Sequence, residues 1–262
     1  MKITALSILV CAFGIWLQAP YAQSITTADH YVCPPCLDGS CDTQEYDSPG
    51  TCPACGMTLI KKSSIKNVAI FIFNGVELLD FTGPGEVFAA AFVPDGALRV
   101  FTVATNKEPL ISQGFLTVQP DYTIADCPEP DIIVLPGGNV TASVDDPQVI
   151  EWISSNSANL DALMSVCNGA HILQKTGLLD GKKATTHYGA IESLRRNSPT
   201  TEVLEDTRWV DNGLVITTAG VSAGIDGALR VIERMYGMEV AQRTARYMEY
   251  DKWDPRDGVI VR

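Results

Sequence analysis

The chain has 262 residues, 46% hydrophobic and 19% charged, with a mean hydropathy of +0.09. That composition provides for a full-sized globular core and excludes a chain that is disordered throughout. With 31 acidic against 19 basic residues the net charge is −12, which repels phosphate backbones and argues against nucleic acid as a partner.

Residues 1–22 read as a secretory signal: Lys2, an apolar run from Ile3 to Leu17, and a small residue, Ala22, before the expected cut at Gln23. The run is shorter than the ~20 residues of a comfortable transmembrane helix, the alternative being an uncleaved anchor. No later segment has the length and apolarity to span a membrane, so no membrane partner is expected after cleavage. The protein is expected to be exported, periplasmic or secreted, into an oxidising compartment.

Residues 29–62 form a cysteine-rich module. Cys33-Pro-Pro-Cys36 and Cys52-Pro-Ala-Cys55 are two C-x-x-C pairs with the spacing of a four-cysteine zinc site. Each pair makes a tight turn that aims two thiolates at one ion, and the intervening loop brings the second pair across. So short a segment cannot bury enough surface alone and needs a metal or disulfide staple. Cys33, Cys36, Cys52 and Cys55 are therefore the candidate ligands for zinc or another heavy metal. The alternative is two structural disulfides, which Cys41, as an odd fifth thiol, slightly favours; metal is preferred.

After the linker 61–66 the texture changes. Val68–Phe73 is a continuous apolar run, the mark of a strand buried on both faces. Gly83–Phe92 reads as a helix with Pro84 near its start. There follow a strand at Leu98–Ala104, a hairpin over Pro109–Gln119 carrying Gly114, and a buried strand at Asp131–Leu135 that ends in Pro136-Gly137-Gly138. A helix at Pro147–Ser157 leads to the strand Ala162–Val166, and helices are expected at Ile225–Tyr236 and Val240–Tyr250. This alternation predicts an α/β domain over 67–262, with a mostly parallel sheet and helices on both faces. A small zinc-ribbon-like module precedes it.

The sharpest motif is Leu163-Met-Ser165-Val-Cys167-Asn-Gly169-Ala-His171. An apolar strand runs into Cys167, with small residues two before and two after, and a helix is expected to follow. That is the pattern of a nucleophile elbow, and the helix N-terminus would favour a thiolate. The alternative is a buried structural thiol, the usual fate of a free cysteine; the local pattern favours the elbow.

Phe73-Asn-Gly75-Val-Glu-Leu-Leu-Asp80-Phe-Thr-Gly83-Pro84, Leu135-Pro-Gly137-Gly138 and Ser165-Val-Cys167-x-Gly-Ala together resemble the ThiJ/PfpI family of the class I glutamine amidotransferase-like superfamily. Gly177-Leu-Leu-Asp-Gly-Lys-Lys-Ala-Thr-Thr-His187-Tyr, Arg208-Trp-Val-Asp-Asn-Gly and Gly220-Val-Ser-Ala-Gly-Ile-Asp226 extend the likeness in order over nearly all of 67–251. The resemblance implies a flavodoxin-like sandwich, no cofactor for the α/β domain, and a homodimer. It is nearest to isocyanide hydratases, which implies a small-molecule substrate. In that chemistry the Cys167 thiolate attacks the terminal isocyanide carbon, Asp80 serves as acid and base, and water resolves the thioimidate to a formamide. Gly138 and Asn168 would offer backbone N–H groups to a developing anion, and His187 would orient the thiolate or assist proton transfer. Isocyanide hydratases usually carry Thr where this chain has Asn168. Other branches imply glyoxalase- or deglycase-like activity, and a non-catalytic metal or redox sensor is a third reading. The segment Tyr31-Val-Cys-Pro…Ser48-Pro-Gly-Thr-Cys-Pro-Ala-Cys-Gly-Met57 resembles the heavy-metal-binding module of some bacterial metal-efflux proteins. That family usually has His where Cys36 stands.

Overall fold

The computed structural model describes residues 29–35, 41 and 44–261; the signal segment and Cys36 lie outside the described residues. In chain order the strands are β1 Tyr31–Val32, β2 Glu45–Tyr46, β3 Ile60–Lys61, β4 Ile65–Phe71, β5 Ala97–Ala104, β6 Leu110–Ser112, β7 Leu116–Val118, β8 Tyr122–Thr123, β9 Ile132–Leu135, β10 Ala162–Ser165, β11 Lys183–Ala184, β12 Glu202–Val203, β13 Trp209–Asp211, β14 Val215–Thr218 and β15 Gly258–Ile260. The helices are α1 Leu78–Ala90, α2 Thr141–Val144, α3 Pro147–Asn156, α4 Ala170–Lys175, α5 Ile191–Asn197, α6 Ala223–Tyr236 and α7 Met238–Tyr247.

An eight-stranded sheet in the order β15-β13-β14-β10-β9-β4-β5-β8 forms the centre, parallel except where β13 runs against β14. Every residue of β9, β10 and β14 is buried. That burial fits their mainly apolar character, with Ser165, Thr217 and Thr218 as the polar exceptions, each full-sized apolar side chain contributing ~1.5–3 kcal/mol. The chain first steps from β4 outward to β5, then returns to lay β9 on the other side of β4 and continues to β10. Since such crossovers are right-handed, reversing the direction of travel sends the connecting helices to the opposite face. Thus α1, α6 and α7 pack together as one layer, and α2 to α5 as the other. The five parallel strands follow the flavodoxin-like order, and the reversal opens a crevice at the carboxyl ends of β4 and β9.

Helix α1 begins at Leu78, five residues ahead of the expected Gly83 start, and Pro84 lies inside it. Tertiary packing decides the matter. Phe81, Gly83 and Pro84 are buried, and a Cβ on Gly83 would already stand 3.0 Å from Ile225 of α6. The helix is held by this contact, which offsets the hydrogen bond that Pro84 cannot donate. Asp80 consequently lies in the first helical turn and is not an N-cap, a position taken by Glu77.

The small module pairs β1 antiparallel with both β2 and β3. Its core is Cys33, Cys41, Cys52 and Leu59, flanked by Tyr31, Tyr46 and Met57. A core of this size cannot offset the chain entropy of ordering the segment without a staple.

Candidate active site and metal centre

The register of β10 sets Ser165 beside Leu135 of β9 and Thr217 of β14, so three strand ends finish level. Val166 is still extended, and Cys167 then turns to φ +57°. That left-handed conformation costs an L-residue ~1–2 kcal/mol. Three hydrogen bonds hold it. Cys167 N–H donates to the Ala219 carbonyl (3.1 Å), Thr186 Oγ1 donates to the Cys167 carbonyl (2.7 Å), and Gly169 N–H donates to Val166 (2.9 Å). Gly169 is required, because a Cβ there would overlap the Leu135 carbonyl. Val221, on the neighbouring loop, also has a positive φ of 52°, rare for a β-branched residue. Two of the six non-glycine residues with positive φ among the described residues thus lie at this site, the others being Asp95, Gln113, Asp206 and Glu249.

Asp80 is fully buried, and its Oδ2 accepts the Gly137 N–H at 2.9 Å. Oδ1 has no hydrogen-bond partner of normal geometry among the described residues, with Cys167 and the Val221 N–H as favourable neighbours. Burial pushes the Asp80 carboxyl up to about 7; the Gly137 N–H opposes the rise and the charge of Glu77 adds to it. Burial also pushes the Cys167 thiol up, to about 12, and the Asp80 charge adds to this against the Asn168 N–H. The expected thiolate-favouring helix terminus is thus outweighed. A short 3₁₀ turn over Cys167–Gly169 leads into an α4 of only six residues, and the sulfur is buried beside a carboxyl. Burial thus favours the thiol form of Cys167 and the protonated form of Asp80, whose pKa it raises towards neutrality.

The sequence suggested Gly138 and Asn168 as N–H donors to an anion. The structure brings them together differently. The Asn168 side chain accepts the Gly138 N–H through Oδ1 (2.8 Å) and donates from Nδ2 to the Gly138 carbonyl (2.9 Å). The Gly138 N–H is therefore occupied by this amide clamp, and that of Gly137 by Asp80. The Asn168 N–H faces the sulfur. Neither glycine tolerates a side chain: a Cβ on Gly137 would press on Asn168, Asp80 and Cys167, and one on Gly138 on the backbone at 75–77. The clamp left no sequence signal beyond the Asn itself.

His187 caps the short turn over Tyr188–Ala190, its Nδ1 accepting the Gly189 N–H at 3.1 Å while its ring rests on Tyr188. Among the described residues it makes no hydrogen bond to Cys167 or Asp80. It does adjoin Thr186, which holds the elbow. His171 bonds Ser193 (3.0 Å) as a packing residue. A groove of about 590 Å³ behind the elbow is lined by Thr185, Thr186, Tyr188, Arg208 and Ala219, among others, and by neither Cys167 nor Asp80.

In the module, Cys33, Cys41, Cys52 and Cys55 bring their sulfurs within 4.8 Å of one another. Cys33 lies 3.3 Å from Cys55, and Cys41 lies 3.4 Å from Cys33 and 3.6 Å from Cys55. A tetrahedral ion at Zn–S ≈ 2.3 Å implies sulfur separations of ~3.8 Å, so the cluster fits one thiophilic ion. Cys41, the odd thiol of the sequence, is thus part of the cluster. The turn Cys52–Cys55 directs the N–H groups of Ala54 and Cys55 at the Cys52 sulfur and draws its pKa down to about 6.

A doubly wound α/β sandwich with a cysteine on a strained strand-to-helix turn, facing a buried carboxyl, defines the class of nucleophile-elbow proteins. Within that class the chain belongs to the DJ-1/PfpI family, whose pattern matches residues 66–234. A heavy metal binding domain matches residues 30–62. The chain is 35% identical to an isonitrile hydratase of Pseudomonas putida over 193 residues, covering 73% of this chain and 81% of the relative. It is 26% identical to the Parkinson disease protein 7 homolog of Danio rerio, over 67% of this chain and 93% of the relative. A crystal structure of a ThiJ/PfpI family protein from Pseudomonas syringae superposes with a TM-score of 0.65 at 27% identity, covering 72% of this chain and 77% of that one.

Proposed function

We propose that the α/β domain hydrates a small isonitrile-type electrophile at Cys167, with Asp80 carrying the proton, in a protein destined for export. The observation that carries this reading is the buried Cys167–Asp80 pair, with a carboxyl that titrates close to neutrality. The relation to the isonitrile hydratase of Pseudomonas putida supports it.

The chemistry follows from the geometry. Ionised Asp80 takes the Cys167 proton as sulfur bonds to the terminal carbon of R–N≡C, and returns it to that carbon to give the thioimidate S–CH=N–R. Water then adds to the same carbon, with one proton passing through Asp80. The C–S bond breaks, the sulfur regains a proton, and R–NH–CHO departs, so the net reaction is R–N≡C + H₂O → R–NH–CHO. Asp80 suits both directions of transfer because its pKa lies near the working pH. Charge developing on nitrogen or oxygen would meet the Asn168 N–H. It would reach the Gly138 N–H only after the Asn168 side chain lets go.

In this reading the cysteine module holds zinc or another thiophilic ion as a structural staple. Export rests on the apolar run from Ile3 to Leu17, and a homodimer rests on family resemblance. Aryl isocyanide incubated with the chain from Gln23 onward should yield the N-aryl formamide. Turnover should vanish in Cys167→Ala, and turnover that survives in this variant would refute the assignment. A second reading, metal or redox sensing, is favoured by the cluster of four cysteines, three of them buried. It becomes the better one if neither isocyanides nor α-oxoaldehydes are turned over while metal binds.

A further inference from the structure

We infer that the fourth ligand of the module's metal centre is Cys41, in the role that the paired C-x-x-C spacing would give to Cys36. The inference rests on the reading of the module as a metal centre and specifies which thiols build it.

Three observations converge on this ligand set. First, Cys41 is 2% exposed, and its sulfur stands 3.4 Å from Cys33 and 3.6 Å from Cys55, within the spread of a tetrahedral thiolate set. Second, the four sulfurs of Cys33, Cys41, Cys52 and Cys55 are all mutually within 4.8 Å, which fills the four positions a closed structural site offers. A fifth thiolate has no place in that coordination. Third, the Cys52 sulfur is surrounded by donors. The N–H groups of Ala54 and Cys55 point at Cys52. The buried Tyr46 hydroxyl, with no oxygen or nitrogen partner among the described residues, faces the same sulfur. Donors directed at sulfur orient a ligand and stabilise its thiolate, as outer-shell groups do in metal sites.

The chain path makes the substitution possible. Cys33 follows directly on β1, which both β2 and β3 pin in register, so its sulfur is fixed by the sheet. Cys41 stands four residues before β2, and Gln44 N–H donates to the Cys41 carbonyl (3.3 Å). Cys41 is thereby anchored to a strand, as Cys33 is. Loading a divalent ion M²⁺ displaces four thiol protons, M²⁺ + 4 RSH → [M(SR)₄]²⁻ + 4 H⁺, with no change of oxidation state. A tetrathiolate of this charge takes soft or borderline ions in preference to hard ones.

The test uses cobalt(II) as a spectroscopic probe on the full mature chain under reducing conditions. Wild type should bind one cobalt with thiolate-to-cobalt charge-transfer bands of a four-sulfur site. Cys36→Ser should keep those bands unchanged. Cys41→Ser should lose on the order of a quarter of their intensity, one bond in four, and bind more weakly. Loss in Cys36→Ser with retention in Cys41→Ser, or equal loss in both, overturns the inference and leaves the metal centre standing. Absence of cobalt binding by wild type overturns the metal reading itself. Because a variant can fail to fold, alkylation of zinc-loaded wild type followed by peptide mass mapping gives a second readout. Label on Cys36 with Cys41 protected supports the inference, and the reverse pattern refutes it.

Discussion

Replacing Asp80 by Asn should make the protein more stable as the pH rises while abolishing its chemistry. Asp80 is fully buried, and its pKa is raised from 3.8 to about 7 in the folded protein. Because this acid's folded pKa lies above its unfolded value, the folded state holds the extra proton between those two pH values. Stability therefore falls as the pH climbs through that window. At 1.36 kcal/mol per pKa unit, the cost of keeping this carboxyl buried is near zero at pH 3. It is about 1.5 kcal/mol at pH 5 and about 4 kcal/mol at pH 8. Asn has the shape of the protonated acid, accepts the Gly137 N–H through its own oxygen, and never ionises. The stability gap between Asp80→Asn and wild type should thus shift in the variant's favour by about 2–3 kcal/mol between pH 5 and pH 8. Other titrating groups are common to both proteins and largely cancel in the difference. The Cys167 thiol, pushed up to about 12, adds nothing in this range. Urea unfolding at the two pH values measures the gap directly, and thermal scans should show it widening by about 5–10 °C. A gap that stays constant from pH 5 to pH 8 would show that Asp80 ionises normally and would remove the basis for its role as a neutral-pH proton carrier.

Three other expectations follow from the same contacts. If ionised Asp80 must take the thiol proton, the rate of isocyanide hydration should rise with pH through about 7 and level off above it; a flat profile from pH 5 to pH 8 would contradict that role. Asn168→Ala removes both hydrogen bonds that clamp Gly138, so it should cost about 1–3 kcal/mol in unfolding free energy. It should also lower KM for substrates that seek the freed N–H, and an unchanged KM would mean the clamp does not gate the site. Asp211, 1% exposed, is paired with Arg230 (2.9 Å) and Arg234 (3.1 Å) and accepts the Gly213 N–H (2.8 Å) in the turn before β14. Asp211→Ala leaves Arg230 with Glu233 (2.9 Å) as its carboxylate and Arg234 with only the carbonyls of Gly213 and Asp161 among the described residues, and should cost on the order of 3 kcal/mol by chemical denaturation.

The elbow was legible in the sequence because its signal is local: an apolar strand, a cysteine, and small residues on either side. The sheet was legible for the same reason, since β9 is an unbroken apolar run and β10 is apolar up to Ser165. Asp80 was harder to place. Its identity came from resemblance, while its position in α1 was hidden by Pro84, which from sequence alone marks a helix start. Only the packing of Gly83 and Pro84 on α6 shows that the helix begins earlier. The amide clamp of Asn168 on Gly138 joins residues 30 positions apart through a turn that no periodicity encodes. Cys41 escaped for a related reason. C-x-x-C spacing draws attention to pairs, whereas the thiols that meet in a small module depend on how its loops close. The burial that raises Cys167 is likewise a property of three strand ends meeting, which the expected helix dipole could not foretell.

The floor of the active site is built from peptide groups: Gly137 against Asp80 and Cys167, Gly138 against the backbone at 75–77, and Gly169 against the Leu135 carbonyl. A surface of that kind offers almost no room for sequence drift, because any added methyl strikes main chain or the reacting groups. Heritable variation in this protein is therefore channelled away from the reacting centre. New substrate preferences would have to arise in side chains around these peptide groups rather than in the groups themselves.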